Sequence, residues 1–258
     1  MAVLAKMTAL ARDKAKTSGI AVVAASGYGS ATGALGHWAR QLAEAGLVGI
    51  VLSQCPEMVA PHGSFEPIFG TNPIAISCPN PDCEATGGAP VVLDMATSTE
   101  AYYHLVTRES AGLSIAPDVA WDAAGQPTTD PAAALAGALR VFDRGHKGSG
   151  LALMVELLAG AVTGAAMLDK KKAGNWGSLV LALDPGLFGD REGTFERVAA
   201  MCARVRGARR LEGVEDIFLP GERGDVAAVQ ARGTGVVALL ESVVVRLKEM
   251  AAVPAGAV

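Results

Sequence analysis

Apolar positions along the chain follow helical spacing in some stretches and strand-like runs in others, which predicts an α/β fold. Helical spacing marks the first eighteen residues, at Leu4, Met7, Leu10, Ala11 and Ala15. Two short apolar runs, residues 20–25 and 47–53, indicate buried strands, and the stretch from Trp38 to Ala45 between them indicates a helix. Strand, glycine turn, helix and strand together predict a βαβ unit.

The rest of the pattern predicts further strands and helices within one domain. Strands are expected at residues 74–78, 90–93 and 178–183. Helices are expected at 100–106, 151–168, 195–206 and 236–250, with Asp130 as N-cap and Pro131 at N1 of a short alanine helix. Residues 54–70 form a loop, 79–88 a turn, and 251–258 a frayed tail. We expect a single cofactor-binding α/β domain over 1–258, with a core at 1–223 and a C-terminal helix and tail at 224–258.

Composition and charge exclude several classes of function. The chain has 258 residues, a net charge of −4, and only 5% aromatic residues. Its largest basic cluster is the triplet 170–172, interpreted as a solvated helix end, so neither nucleic acid nor a membrane is expected as a partner. Four cysteines without CxxC spacing predict no metal site and indicate reduced thiols in a cytoplasmic protein. The apolar run 151–168 contains Glu156, which favours a buried helix over a membrane span.

The loop Arg144–Gly150 is a candidate anion site. Three glycines permit close backbone approach, a helix begins within the loop, and Lys147 adds a full positive charge. We interpret the anion as a cofactor phosphate. The alternative is a glycine-rich turn into a buried helix, with Lys147 in solvent.

Asp94 is a second candidate, because it follows an apolar strand and ligands collect at strand ends in α/β sheets. A carboxylate there can bind a ribose or a substrate, or transfer a proton. The alternative is capping, by Asp94 or Ser98, of the helix that follows. A dinucleotide-binding Rossmann fingerprint at residues 27–33 is not favoured, because the glycine spacing is wrong and no acidic residue ends the second strand.

Five blocks in this order, at residues 70–76, 92–98, 125–131, 145–160 and 219–223, resemble the type 2 malate/L-lactate dehydrogenase family. Its members include ureidoglycolate and sulfolactate dehydrogenases and Δ1-piperideine-2-carboxylate reductases, which move hydride between NAD(P) and a 2-oxo, 2-hydroxy or cyclic 2-imino acid. The resemblance implies a non-Rossmann α/β fold with a mixed sheet, of the sulfolactate/malate dehydrogenase-like type, and a homodimer. It also implies cofactor contacts at Cys55, Asp94, Met95, Ala96, Lys147, Gly221, Glu222 and Arg223.

The sequence departs from the family pattern in two places. The family's N-terminal helical segment, with its carboxylate-binding motif, has no counterpart here, and Ala31 stands where the family's proton-donating histidine is expected. Alanine cannot transfer a proton. The resemblance implies that Asp94 is the leading catalytic candidate, because the family also places an aspartate there near the reacting centre. Tyr28 is the second candidate, and structural roles are favoured for the histidines at 37, 62, 104 and 146.

Three hypotheses follow for the function. The first is an NAD(P)-dependent oxidoreductase, in particular an imine reductase, because an imine that enters protonated tolerates loss of the histidine. The second is a scaffold repurposed for non-redox condensation, cyclisation or decarboxylation. The third is a cofactor-binding subunit whose missing segment comes from a partner chain. The sequence does not choose between NAD and NADP.

Overall fold

The computed structural model describes residues 1–81, 87, 89–239 and 241–252. The chain begins with helix α1 (Ala2–Ser18), which ends at Gly19 in the left-handed conformation that glycine favours (φ 80°). The predicted apolar face of α1 is confirmed at Leu4, Met7, Ala11 and Ala15, which are buried, whereas Leu10 is exposed.

The main sheet has five strands: β1 (Ile20–Tyr28), β2 (Val48–Ser53), β3 (Ile74–Cys78), β4 (Val91–Met95) and β8 (Trp176–Leu183). Their order is β1-β8-β2-β3-β4, and every neighbouring pair is antiparallel. The prediction of a mixed sheet is therefore wrong for this sheet. Helix α2 (Leu35–Glu44) joins β1 to β2 as predicted, but β8 lies between these two strands and pairs with both.

A smaller sheet in the order β6-β5-β7 is built from β5 (Ala120–Trp121), β6 (Pro127–Thr128) and β7 (Ala138–Leu139). It packs with helices α3 (Tyr102–Ser110) and α4 (Pro131–Ala136) around a separate apolar cluster that includes Val59, Leu105 and Val119. The predicted start of α4 is confirmed, since Asp130 accepts a hydrogen bond from the Ala132 N–H at 3.0 Å.

Helices cover both faces of the main sheet. Helices α1 and α2 cover one face, and α5 (His146–Ala159) packs on the other through Val155 and Ala159 against Leu52. The predicted helix 151–168 ends early, at Ala159, and its C-cap Gly160 packs against Gln54, where an added Cβ would lie 2.7 Å from the amide nitrogen. A short 3-10 turn, Ala161–Thr163, follows.

The C-terminal part contains α6 (Lys170–Ala173), α7 (Arg191–Arg206), α8 (Glu222–Thr234) and α9 (Glu241–Ala252). The sequence pattern missed α8, and the predicted last helix begins at Glu241 instead of 236. Most of the predicted turn at 79–88 and tail at 251–258 lies outside the described residues. No helix in the described ranges combines the length and the apolar character that crossing a membrane requires.

Candidate active site

A cavity of about 850 Å³ opens at one end of the strands of the main sheet. In an antiparallel sheet this end gathers the carboxyl ends of some strands and the amino ends of their neighbours. Its wall includes Asp94, Met95 and Ala96 at the end of β4, Cys55 after β2 and Ala31 after β1. Ala31 and four of the predicted cofactor contacts thus share one cavity.

Asp94 lines the cavity and also caps helix α2. Its Oδ2 accepts a hydrogen bond from the Gly36 N–H at 2.7 Å, and the N-cap residue of α2, Ala34, offers no side-chain bond of its own. Any Cβ at position 36 would lie 2.9 Å from Asp94, so glycine permits this contact. Desolvation by the surrounding protein raises the pKa of the Asp94 carboxyl, although the bond from Gly36 opposes the shift.

The alternative interpretation of Asp94 and Ser98 as caps of the following helix is wrong. The N-cap residue of α3 is Ala101, which makes no side-chain capping bond. Ser98 Oγ instead donates to the Glu100 carbonyl at 2.6 Å. Asp94 does cap a helix, but that helix is distant in sequence, which local spacing could not reveal.

Tyr28, the second catalytic candidate, is half-buried and is not among the described residues that line the cavity. Its hydroxyl contacts Ser178 Oγ, which lies 2.6 Å from Ser53 Oγ. Desolvation raises the pKa of Tyr28, and the Ser178 hydrogen bond acts in the opposite direction. A catalytic role for Tyr28 stays a prediction.

Cys55 follows β2, and its backbone N–H donates to Asn72 Oδ1 at 3.1 Å. Burial raises the pKa of the Cys55 thiol, and a hydrogen bond with Thr71 opposes that shift. The thiol is therefore the stable form, since a thiolate would need the opposite shift. This side chain is suited to packing against a bound molecule.

A buried polar cluster lies behind the cavity wall, centred on Glu156. Glu156 Oε1 pairs with Lys170 Nζ at 2.7 Å and accepts from Gln54 Nε2 at 2.7 Å, while Oε2 accepts from Asn72 Nδ2 at 2.7 Å. The interpretation of the triplet 170–172 as a solvated helix end is wrong for Lys170, whose side chain is 0% exposed. A buried ammonium needs a carboxylate partner, and the residue that interrupts the apolar run supplies it.

The glycine loop holds an anion, but the anion is the protein's own carboxylate. Asp143 Oδ1 accepts from the N–H groups of Gly145 at 2.8 Å and Gly148 at 3.0 Å. These bonds hold the pKa of Asp143 below its ordinary value. Lys147 is exposed and is not one of the described residues lining the cavity, so its contact with a cofactor phosphate stays a prediction.

The turn at Gly221 lies behind β4 and outside the described cavity wall. Gly221 has φ 98° and is the N-cap residue of α8, and the preceding Pro220 carbonyl accepts from the Val92 N–H at 3.0 Å. Glu222 pairs with Arg206 and accepts from the Leu219 N–H, and the guanidinium of Arg223 lies 5.3 Å from the Phe218 ring centre. Cofactor contacts at these three residues remain predictions.

None of the four histidines belongs to the described wall of this cavity. His37 contacts Gln41 at 2.9 Å, His104 pairs with Glu100, and His146 is exposed. His62 lines a second cavity of about 350 Å³. Structural roles for the four histidines stay predictions.

Sequence reasoning missed several cavity residues. Tyr102, Tyr103 and Trp176 supply aromatic surface, and Lys171 supplies a positive charge. Trp176 is placed by a bond from its Nε1 to the Lys170 carbonyl at 2.9 Å. One signal in the sequence bears on Lys171. Glu156 is a charged residue in an apolar run and so needs a buried partner; that partner is Lys170, the residue next to Lys171.

Known proteins resemble this chain over most of its length. The family model for malate/L-lactate dehydrogenase matches residues 1–248. The chain is 41% identical over 217 residues to Δ1-pyrroline-2-carboxylate reductase 1 of Burkholderia ambifaria, covering 78% of this chain and 62% of that protein. It is 38% identical over 246 residues to the Δ1-pyrroline-2-carboxylate/Δ1-piperideine-2-carboxylate reductase of Pseudomonas aeruginosa, covering 89% and 70%.

A solved structure gives the same result. Sulfolactate dehydrogenase from Methanocaldococcus jannaschii superposes with a TM-score of 0.80 at 30% identity, covering 96% of this chain and 70% of that one. The resemblance inferred from five sequence blocks is thus confirmed, although the chain spans 62% of the length of its Burkholderia relative. This chain belongs to the malate/L-lactate dehydrogenase family.

Proposed function

We propose that the protein is an NAD(P)-dependent reductase of a small cyclic 2-imino acid, with poorer activity in reducing 2-oxo acids or, in the reverse direction, oxidising 2-hydroxy acids. The observation that carries this proposal is the cavity that joins Asp94, Met95 and Ala96 to Ala31. Its volume lies within the range of about 300–1,000 Å³ that is usual for small-molecule sites. Two relatives whose names specify imino-acid reduction support the choice of substrate class.

The residues of the cavity fit a nicotinamide cofactor in part. Cys55, Asp94, Met95 and Ala96 would hold its reactive end, and Lys147 and the turn at residues 221–223 would bind more distant parts. When bound, the cofactor supplies the hydride. The chain's own contribution is to position the acceptor carbon, to exclude water and, for a ketone, to supply one proton to its oxygen.

The absence of a histidine at Ala31 favours an imine over a ketone. A protonated imine becomes a neutral amine when its carbon receives hydride, so the nitrogen needs no further proton. A ketone oxygen must gain a proton as the hydride arrives, and Asp94 is the acid available for that step. Desolvation raises the pKa of its carboxyl, which is the direction that a general acid requires.

The test measures NAD(P)H consumption with Δ1-pyrroline-2-carboxylate, Δ1-piperideine-2-carboxylate and pyruvate. We expect kcat/KM for the imines to exceed that for pyruvate by about 100-fold or more, the usual contribution of one proton-transfer group. Asp94→Asn should reduce pyruvate turnover more than imine turnover. Absence of turnover with all three substrates, by protein whose circular dichroism shows it folded, overturns the proposal.

Ala31 also supports a second candidate, in which the scaffold performs a non-redox reaction and its cavity holds only substrate. Calorimetry with NADH and NADPH separates the two. Binding of either cofactor supports the reductase, whereas the absence of binding of both supports the repurposed scaffold.

We further propose a homodimer that acts in the cytoplasm. Helix α5 buries one face and exposes large apolar side chains on the other, at Leu153, Met154, Leu157 and Leu158. Such a face suits a second copy or a partner chain. Analytical ultracentrifugation should give a dimer, and Leu157→Glu should shift it to monomer; a wild-type monomer would refute the assembly.

A further inference from the structure

The charges around the cavity pose a problem for an acidic substrate. The described wall contains two carboxylates, Asp94 and Glu57, and one basic side chain, Lys171. A small carboxylic acid is repelled by the ionised form of either acidic side chain unless a cation offsets that charge. Lys171 is the one lysine, arginine or histidine available for this purpose among the described lining residues.

The residue before Lys171 is unusually well anchored. Lys170 Nζ bonds to Glu156 Oε1 at 2.7 Å and to the Ile68 carbonyl at 3.3 Å. Its backbone N–H donates to Glu57 Oε1 at 3.1 Å, and its carbonyl accepts from Trp176 at 2.9 Å. These four bonds fix one end of the single-turn helix α6 against the cavity wall.

Lys171 combines a fixed backbone with an accessible head group. It is exposed at the cavity, and in the described part of the chain no carboxylate lies within ion-pair distance of it. Glu57, by contrast, is already engaged by the Lys170 N–H, which reduces its repulsion of an anion. Lys172 is also exposed but is not among the described lining residues.

We propose that the Lys171 ammonium is the carboxylate-binding group of the cavity. It binds the carboxylate of the small acid substrate through a charge-assisted hydrogen bond. The choice of a carboxylic acid as ligand rests on the proposed function. The bonds of Lys170 hold the backbone of Lys171 beside the cavity, which lowers the cost of ordering the backbone when the ligand binds.

The test uses pyrrole-2-carboxylate and its neutral twin, pyrrole-2-carboxamide. The acid has a five-membered ring with nitrogen next to the carboxylate-bearing carbon, and neither compound accepts hydride. Calorimetric titration into wild type, Lys171→Gln and Lys172→Gln compares two neighbouring exposed lysines, one on the cavity wall and one beside it. Circular dichroism shows whether both variants fold.

We expect Lys171→Gln to weaken binding of the acid by about three- to tenfold, since the ion pair is partly exposed. Lys172→Gln should bind the acid like wild type, and all three proteins should bind the amide equally. Raising the NaCl concentration should weaken binding of the acid and not of the amide.

Three results overturn the assignment. The first is no binding of the acid to wild type, and the second is equal affinity of the two variants for the acid. The third, from a parallel titration with NADPH, is that Lys171→Gln loses affinity for NADPH alone. The last result would assign Lys171 to a cofactor phosphate. Binding that depends on Lys171 without turnover would sink the proposed reduction and leave the carboxylate site standing. Turnover with the same KM in both variants would overturn the carboxylate site and leave the proposed reduction standing.

Discussion

The buried pair between Lys170 and Glu156 should be the costliest polar contact to break in the described structure. The Lys170 side chain is 0% exposed and that of Glu156 is 5% exposed. Removing one partner from such a pair costs about 3–5 kcal/mol, because the other charge stays buried. Against a total stability of about 5–15 kcal/mol, that loss is large.

The two possible deletions differ in what they leave behind. Lys170→Met leaves Glu156 with donors from Gln54 and Asn72, each at 2.7 Å, so we expect a loss of about 3 kcal/mol. Glu156→Gln keeps one oxygen for Lys170 Nζ but removes the counter-charge of the buried ammonium and places an amide nitrogen opposite the Asn72 Nδ2 donor, so we expect about 5 kcal/mol. The double variant should cost less than the sum of the two by about 2 kcal/mol.

Urea unfolding, followed by both tryptophan fluorescence and circular dichroism, measures these free energies. The two signals must coincide, because a chain of 258 residues need not unfold in two states. Lys172→Met is the control for loss of a lysine and should change stability by less than about 0.5 kcal/mol. The reasoning is refuted if Lys170→Met matches that control, or if Glu156→Gln proves milder than Lys170→Met.

Three further predictions concern single contacts. Gly36→Ala should lose about 1–3 kcal/mol of unfolding free energy, because the new Cβ would lie 2.9 Å from Asp94. Gly150→Ala, whose new Cβ would meet no atom within 4 Å, should gain about 0.5–1 kcal/mol, and equal effects of the two substitutions would contradict this reasoning. The raised pKa of Asp94 means that the folded state holds its proton more tightly, so wild-type stability relative to Asp94→Asn should fall as pH rises from the ordinary carboxyl pKa through the raised one, then level off. A difference independent of pH would argue against it. Asp143 has a lowered pKa, so its stabilisation relative to Asp143→Ala should be present above the ordinary carboxyl pKa and disappear as pH falls through the folded value; acid titration of both proteins checks this.

Local elements followed from local spacing. The face of α1, the start of α4 at Asp130 and Pro131 and the strand Ile74–Cys78 each depend on residues within a few positions of one another. Such signals do not require knowledge of the tertiary structure. They predicted that the chain alternates helices with strands, but could not fix the pairing of strands in the sheet.

The parts that failed depend on residues far apart in the sequence. Lys170 is buried because Glu156 and Ile68 surround it, and periodicity at 170–172 carries no information about either. Asp94 caps α2, which precedes it by more than fifty residues. The candidate site was predicted in part by family resemblance, which identified Cys55 and residues 94–96, whereas Lys171 emerged only from the assembled cavity.

The position of β8 also fixes when this sheet can be completed during synthesis. Val23 in β1 and Val51 in β2 both lie opposite Val180. Neither strand can therefore pair with β8, which lies between them, until residues 176–183 leave the ribosome. Nascent chains that are still shorter carry two apolar strands with unpaired edges, the kind of surface on which chains aggregate. Ribosome-bound chains ending before residue 176 should therefore recruit chaperones, and release should follow emergence of β8.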